Sequence, residues 1–468
     1  MALRLFNTLT KKEEEFQPLK PDKVGMYTCG PTVYWFSHIG NMRAYLCSDL
    51  LRRAFEYNNF EVELVINITD VGHLTSDSDQ GEDKMIVAMQ REGKTAYEIA
   101  DFYTQAFLRD LNRLNIKPAH HYPKATEHIA EQIKMIKDIE RNGFTYQTSD
   151  GIYFDTSKLP QYGILSGQKS EDKQAGARVE MKEKKNSTDF ALWKFSPSGS
   201  PSTGSGHKPL QQRLMEWESP WGKGFPGWHI ECSAMSIKYL GMPFDVHMGG
   251  IDHIPVHHEN ELAQAIGCCG AYHARFWIHN DFLTVDGGKM SKSLGNLFTI
   301  DDLVGKGFDP MSYRYFLLGA QYRAKLNFTW EALTAAQNAL RRLQKIVRDW
   351  DAPAIGCADY EQRFLDAINN DINTPQALAI LWEVVEDTTQ PTSARAKSLL
   401  KFDSVLGLGL EDFVGKKLEI PEEVLELMRK RDEARARKDW EESDRLRDEI
   451  KQKGFVVEDT EDGAKIRE

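Results

Sequence analysis

The chain has 468 residues, 28% of them charged and 41% apolar, with a net charge of −11. That length exceeds a single hydrophobic core and suggests about three units of about 150 residues each, of ordinary globular composition. The acidic balance excludes a protein that coats nucleic acid non-specifically, though a local basic face could still dock one folded RNA; without a run of roughly 20 apolar residues, no membrane partner is expected.

Met1-Ala2-Leu3-Arg4 leads into polar sequence and not into a secretory apolar segment. Val24 to Thr28 reads as a short strand, broken by Gly30-Pro31, and Asn41 to Tyr57 has helical periodicity through Met42, Tyr45, Leu46, Leu50 and Phe55. Glu61 to Asn67 alternates as a second strand. Met85 to Leu114 is mostly helical with a break near Gly93, and Thr126 to Arg141 is a helix ended by Gly143. Strands alternating with helices imply crossover units and a parallel sheet, with ligands at the carboxyl ends of its strands. Residues 151–192 change character and read as an insertion between two halves of that sheet domain. The Ser/Gly/Pro-rich stretch that follows, 196–206, reads as a surface loop. The α/β pattern resumes over 228–295, where Phe282 to Val285 and Asp286-Gly287-Gly288 form a strand and turn delivering Lys289-Met290-Ser291-Lys292-Ser293. From Pro310 the chain is mainly helical. Leu333, Ala336, Leu340, Leu343 and Val347 step by three and four, as in a bundle helix. Two more helices, 422–437 and 439–453, precede a small terminal hairpin. There is no internal repeat.

The chemistry concentrates in Gly227-Trp228-His229-Ile230-Glu231-Cys232, His247-Met248-Gly249-Gly250-Ile251-Asp252 and Val256-His257-His258-Glu259-Asn260-Glu261. On a helix from His257, that residue and Glu261 share one face, with His258 about 100° away. Cys232 reaching that face from another element gives a thiolate, imidazole and carboxylate set that suits Zn²⁺. The fourth ligand comes from elsewhere or is left to a substrate, and Cys29 is the best distant candidate. Other pairings stay open, among them His253 with His257 and Cys268 with Cys269. A cysteine beside Ala234 and Met235 is also commonly just a small buried hydrophobe. Six cysteines without regular spacing argue against a disulfide framework and for a reducing, cytoplasmic setting.

Gly30-Pro31-Thr32 and His38-Ile39-Gly40-Asn41 lie between the first strand and first helix, where a nucleotide phosphate meets helix N-terminal amides. Gly40 permits close backbone approach and His38 can donate to a phosphate oxygen. Lys289 and Lys292 add two ammonium groups that act as point charges on phosphates.

In Cys29 to Tyr34, His38 to Asn41, Asn67 to Asp70, Asp189 to Lys194, Gly227 to Met235, His257 to Glu261 and Lys289 to Ser293, the sequence resembles the class I aminoacyl-tRNA synthetases, and among them the cysteinyl-tRNA synthetase family. The resemblance runs over nearly the whole chain. It departs at Asn41, which stands for a histidine, and at Ser187-Thr188, which replaces a Pro-bearing pair. It implies an α/β fold in which a Rossmann-type parallel-sheet catalytic domain with an insertion precedes an α-helical bundle and a small C-terminal tRNA-binding domain. The expected boundaries are 1–125 for the first catalytic half, 126–205 for the connective insertion, and 206–280 for the second half with the zinc site. They continue with 281–325 for the lysine loop and stem-contact region, 326–415 for the bundle and 416–468 for the anticodon-binding domain. The resemblance also implies ATP-dependent activation of L-cysteine and transfer to tRNA(Cys), by a monomer carrying one Zn²⁺ and using Mg²⁺ with ATP. Carried over residue by residue, the zinc ligands are Cys29, Cys232, His257 and Glu261. ATP falls to Gly30, Pro31, Thr32, His38, Gly40, Asn41, Asp252, Lys289 and Lys292, with His38, Lys289 and Lys292 catalytic; Thr69, Trp228 and His247 take the amino acid. A cysteine-activating ligase for an amino-sugar is the nearest alternative, and would have less need of the chain after Pro310. A non-catalytic RNA-binding descendant would need neither His38 nor the two lysines. Arg429, Lys430, Arg431, Arg435, Arg437 and Lys438 form a basic cluster that reads as a phosphate contact or as a solvated helix face.

Overall fold

The computed structural model describes residues 1–72, 84–167, 183–196, 215–288, 290, 295–416, 420–460 and 463–467. Its centre is a four-stranded parallel sheet in the order Ala274–Asn280, Phe244–Gly250, Lys23–Thr28, Glu61–Ile66. Alternation then sorts the side chains: Val24, Met26, Leu64 and Ile278 enter one core, while Tyr27, Val65 and Trp277 enter another on the opposite face.

The first core is closed by the helix Ile39–Tyr57 and by the bundle helices Pro310–Leu318, Trp330–Arg348, Ala358–Asn369, Thr374–Glu386 and Thr392–Leu406. The second core holds Trp228–Leu240, Glu259–Cys269 and an antiparallel sheet in the order Thr145–Thr148, Gly151–Phe154, Phe190–Phe195, Gly224–Pro226. That sheet extends past residue 205, to Pro226. An N-terminal hairpin, Arg4–Asn7 with Lys12–Glu15, lies beside the edge strand Ala274–Asn280, where the Thr8 amide donates to the Trp277 carbonyl at 2.8 Å. Glu422–Ala436, Trp440–Gln452 and a C-terminal hairpin enclose a third, small core of Val424, Leu427, Met428, Leu446, Ile450 and Val457. Arg431 is 1% exposed and faces this unit's interior, so it does not belong to the basic face expected around it. Cys268 and Cys269 are bonded to each other, closing only a small local ring that ties no distant segments together.

The Ile39–Tyr57 helix positions the site. His38 is its N-cap: the Asn41 amide donates to His38 Nδ1 at 3.3 Å, and the His38 amide donates to Asn41 Oδ1 at 3.1 Å. The helix thus begins two residues before the expected Asn41. Four residues inward of Ile39, Arg43 is 2% exposed and donates to the carbonyls of Phe282 (2.6 Å), Tyr322 (3.3 Å) and Ala324 (2.6 Å). Those carbonyls flank the short parallel pair Leu283–Val285 and Leu326–Phe328, from which the chain runs on to residues 289–293.

Candidate active site and metal centre

A cleft of about 460 Å³ opens at the carboxyl ends of the parallel strands, lined by Cys29, Thr32, His38, Trp228, Asp252 and His257 among others. At this end Gly30 follows strand Lys23–Thr28 and lies against Asn67. A Cβ at Gly30 would sit 1.5 Å from the Asn67 carbonyl oxygen, so only glycine fits. Asn67 Oδ1 accepts from the Gly30 amide at 2.7 Å and from the Cys232 thiol at 3.6 Å, and its Nδ2 donates to Thr69 Oγ1 at 3.1 Å. Thr69 in turn donates to Glu231 Oε2 at 3.0 Å.

The donor atoms of Cys29, Cys232, His257 and Glu261 lie within 4.8 Å of one another, and all four residues are buried. A tetrahedral zinc with bonds of about 2.0–2.3 Å needs donors roughly 3.3–3.8 Å apart. Here His257 Nε2 is 3.0 Å and Cys29 Sγ 3.6 Å from Glu261 Oε1. The unused atoms are engaged from outside. His257 Nδ1 meets His229 Nδ1 at 2.9 Å, and Glu261 Oε2 meets His247 Nε2 at 2.8 Å. With Nδ1 so held, a neutral His257 can turn its Nε2 lone pair inward, the tautomer a metal requires. Two thiols, one imidazole nitrogen and one carboxylate oxygen suit zinc.

Burial opposes ionisation of Glu261, but the charges of His247 and His257 outweigh it and hold the carboxyl well below its usual range. Burial likewise works against protonation of His257, yet Glu261 and Cys232 raise it to about 10. Burial pushes the Cys29 thiol up, whereas a hydrogen bond from Cys29 leads the lowering of Cys232. The pocket is therefore built for positive charge.

A second set, Cys29, His247, His258 and Glu261, also has its donor atoms within 4.8 Å. His258 Nε2 is 3.2 Å from Cys29 Sγ, closer than a helical wheel allows. The reason is local: residues Ile254–His258 form a π-helical turn, and the regular helix begins at Glu259. His258 Nδ1 meets His279 Nε2 at 2.7 Å, and burial, with His247 and His279 nearby, lowers the His258 pKa well below that of a free imidazole.

The cleft brings together Gly30, Pro31, Thr32, His38, Gly40, Asn41, Thr69, Trp228 and Asp252 beside the donors. His247 is placed differently from expectation. It is fully buried and does not line the cleft, and its Nε2 meets Glu261 Oε2 at 2.8 Å. Lys289 and Lys292 lie outside the described residues. Burial lowers the His38 pKa against the opposing charge of Asp252, and Nδ1 already accepts from Asn41. A neutral ring then carries its proton on Nε2, ready to donate. Trp228 packs on His257 with ring centroids 4.7 Å apart. Sequence reasoning assigned no role to Asn67, His229 or Glu231, although all three stand inside motifs it singled out.

Among solved structures, the fold is similar to a Mycobacterium tuberculosis methionyl-tRNA synthetase in complex with methionyl-adenylate, at TM-score 0.52 and 15% identity over 82% of this chain and 90% of that one. It is also similar to an Agrobacterium radiobacter LeuRS in a ternary complex with tRNA and LeuAMS, at TM-score 0.56 and 13% identity over 85% of each chain. Residues 15–338 match the family described as tRNA synthetases class I (C) catalytic domain. Sheet, capped helix and cleft are thus those of a class I aminoacyl-tRNA synthetase. Residues 418–467 match the cysteinyl-tRNA ligase anticodon binding domain. The cysteine–tRNA ligase 1 of Burkholderia lata is 48% identical over 100% of this chain and 97% of its own length. The cysteine–tRNA ligase of Treponema denticola is 42% identical over 98% of both. The chain belongs to the cysteine–tRNA ligase family. No helix among the described residues is long and apolar enough to cross a membrane.

Proposed function

We propose that this chain activates L-cysteine with ATP and transfers the cysteinyl group to the 3′ end of tRNA(Cys), acting as a cytoplasmic monomer. The observation that carries the reading is the buried four-donor set on the floor of a cleft whose rim is the His38-capped helix. In the first step the cysteine carboxylate attacks the α-phosphate and pyrophosphate leaves; in the second a ribose hydroxyl of the terminal tRNA nucleotide takes the cysteinyl group. Such displacement at phosphorus needs alignment and charge stabilisation more than a general base. The Gly30 backbone and the helix N-terminus receive phosphate, and His38 Nε2–H donates to the α-phosphate oxygens as charge builds. Lys289 and Lys292 serve the leaving pyrophosphate, whose charge Mg²⁺ shares. Asp252 holds the adenylate ribose or the amine of the substrate, while Thr69 and Trp228 bound the amino-acid pocket.

Serine differs from cysteine only by oxygen for sulfur, too small a change for an apolar pocket to reject. Zinc held by Cys29, Cys232, His257 and Glu261 supplies a soft acceptor for a thiolate, which an alkanol does not offer. Cysteine-dependent pyrophosphate exchange and charging of purified tRNA test the reading together. Exchange that serine supports as well as cysteine, or charging absent despite exchange, would overturn it. The match of residues 418–467 to an anticodon-binding domain supports tRNA over an amino-sugar as acceptor.

A further inference from the structure

Beside the cleft lies a cluster of rings that the two-step chemistry leaves unused. Trp35 is 37% and Phe102 46% exposed, and Phe36 and Tyr103 lie between them. Ring centroids are 6.1 Å apart for Trp35 and Tyr103, 5.0 Å for Phe36 and Tyr103, and 5.1 Å for Phe102 and Tyr103. Two cations lie over the outer rings: the Arg91 guanidinium 3.7 Å from the Trp35 centroid, and Lys94 Nζ 4.6 Å from that of Phe102. Glu92 pins both cations, and Arg91 also donates to the Tyr34 carbonyl at 3.1 Å and to the Tyr103 hydroxyl at 3.3 Å. Single exposed aromatics are ordinary; Trp35, Phe102 and the half-buried Phe36, resting on the buried Tyr103 and with a cation over each outer ring, form a contiguous recognition surface.

Its position names the occupant. Trp35 and Phe36 also line the cleft and stand just before His38, so the patch is continuous with the place where an acceptor end must arrive. An unpaired nucleic-acid end offers π-faces for rings and phosphates for Arg and Lys, a combination that binds single strands without reading sequence. Resting on the tRNA reading above, we propose that the face from Trp35 to Phe102 is a stacking platform for the unpaired bases at the 3′ end of the tRNA, which guides the terminal ribose into the cleft.

Phe102 is outside the cleft and well exposed, so Phe102→Ala should fold. The variant is expected to keep tRNA-independent pyrophosphate exchange and to raise the KM for tRNA about tenfold, the scale of one lost base stack. Phe102→Trp should restore it. The wild-type protein should bind intact tRNA more tightly than tRNA trimmed of its unpaired 3′ nucleotides, and Phe102→Ala should narrow that gap. A gap unchanged in the variant overturns the platform, as does equal loss of exchange and charging. A Phe102→Ala chain whose oligomeric state differs from wild type on sizing would likewise overturn it, by making the face a contact between copies. A wild-type chain that charges no tRNA at all refutes the function proposed above instead.

Discussion

Zinc uptake by the stripped protein provides a count that depends on the geometry of the pocket. Near pH 7.5 the metal-free site holds a proton on Cys29, whose thiol burial pushes up, and one on His257, raised to about 10 by Glu261 and Cys232 against burial. Glu261, held well below its usual range, enters already ionised, and the hydrogen bond from Cys29 lowers Cys232. A metal needs all four ligands deprotonated, so binding should release at least about two protons, those of Cys29 and His257. Because the raised His257 stays protonated up to its folded value, the release continues through neutral pH, and apparent affinity should rise at least about 100-fold per pH unit there. Titration calorimetry in buffers of different ionisation enthalpy reads the proton count directly. His257→Ala should lower it by about one. A count near zero, or one that His257→Ala leaves unchanged, would refute this site and favour the overlapping set built on His258.

Three further outcomes follow from the same contacts. Cys232→Ser replaces a soft donor, so zinc content, cysteine activation and discrimination against serine should fall together; His258→Ala should lower zinc content less than His257→Ala, and metal analysis with exchange assays decides both. Arg43→Met removes three charge-assisted bonds and leaves the Ala324 carbonyl without a partner among the described residues; thermal or denaturant unfolding should report a loss of about 2–4 kcal/mol, with slower adenylate formation. Truncation before Pro421 removes a unit with its own core, so charging should drop about tenfold or more, a loss of roughly 1.4 kcal/mol, while exchange persists; equal losses in both assays would contradict the assignment.

The parallel sheet and the His257–Glu261 spacing were legible because their signals are short-range. A strand of 24–28 and a helix to Tyr57 follow from periodicity, and His257 with Glu261 from helical spacing. Contacts made across the fold were not. Asn67 reaches Gly30 and Cys232, and His229 reaches His257, between segments that no local pattern connects. The π turn at Ile254–His258 escaped because a helical wheel presumes a regular helix, and that presumption swung His258 away from Cys29. The strand Lys12–Glu15, Lys-Glu-Glu-Glu, has poor intrinsic strand preference. It forms because Arg4–Asn7 beside it is anchored on the sheet edge through Asn7 and Thr8, which covers an otherwise open strand. Arg431 read as a surface charge because sequence gives composition along a helix but not which residues the third core swallows.

The buried charges along one helix explain how distant parts of the chain act on one cleft. His38 caps the Ile39–Tyr57 helix at the phosphate end, and Arg43 ties it to the strand pair that leads to residues 289–293. Further along, Asp49 takes Arg53 and the fully buried Arg314, each at 2.7 Å. Arg314 also donates to the carbonyls of Leu406 and Leu114, at 2.6 and 2.9 Å, joining the bundle to the catalytic sheet. Apolar residues of similar volume would fill this space at no greater cost, because desolvating ions offsets most of their attraction. What they could not do is fix register. A guanidinium fork whose donors must find particular carbonyls and one carboxylate accepts a single arrangement of helix, strand pair and bundle. The same helix therefore carries the phosphate-facing cap and the bonds that hold the bundle. Movement of the bundle along its axis strains the bonds of Arg314 to Asp49, on the helix that His38 caps.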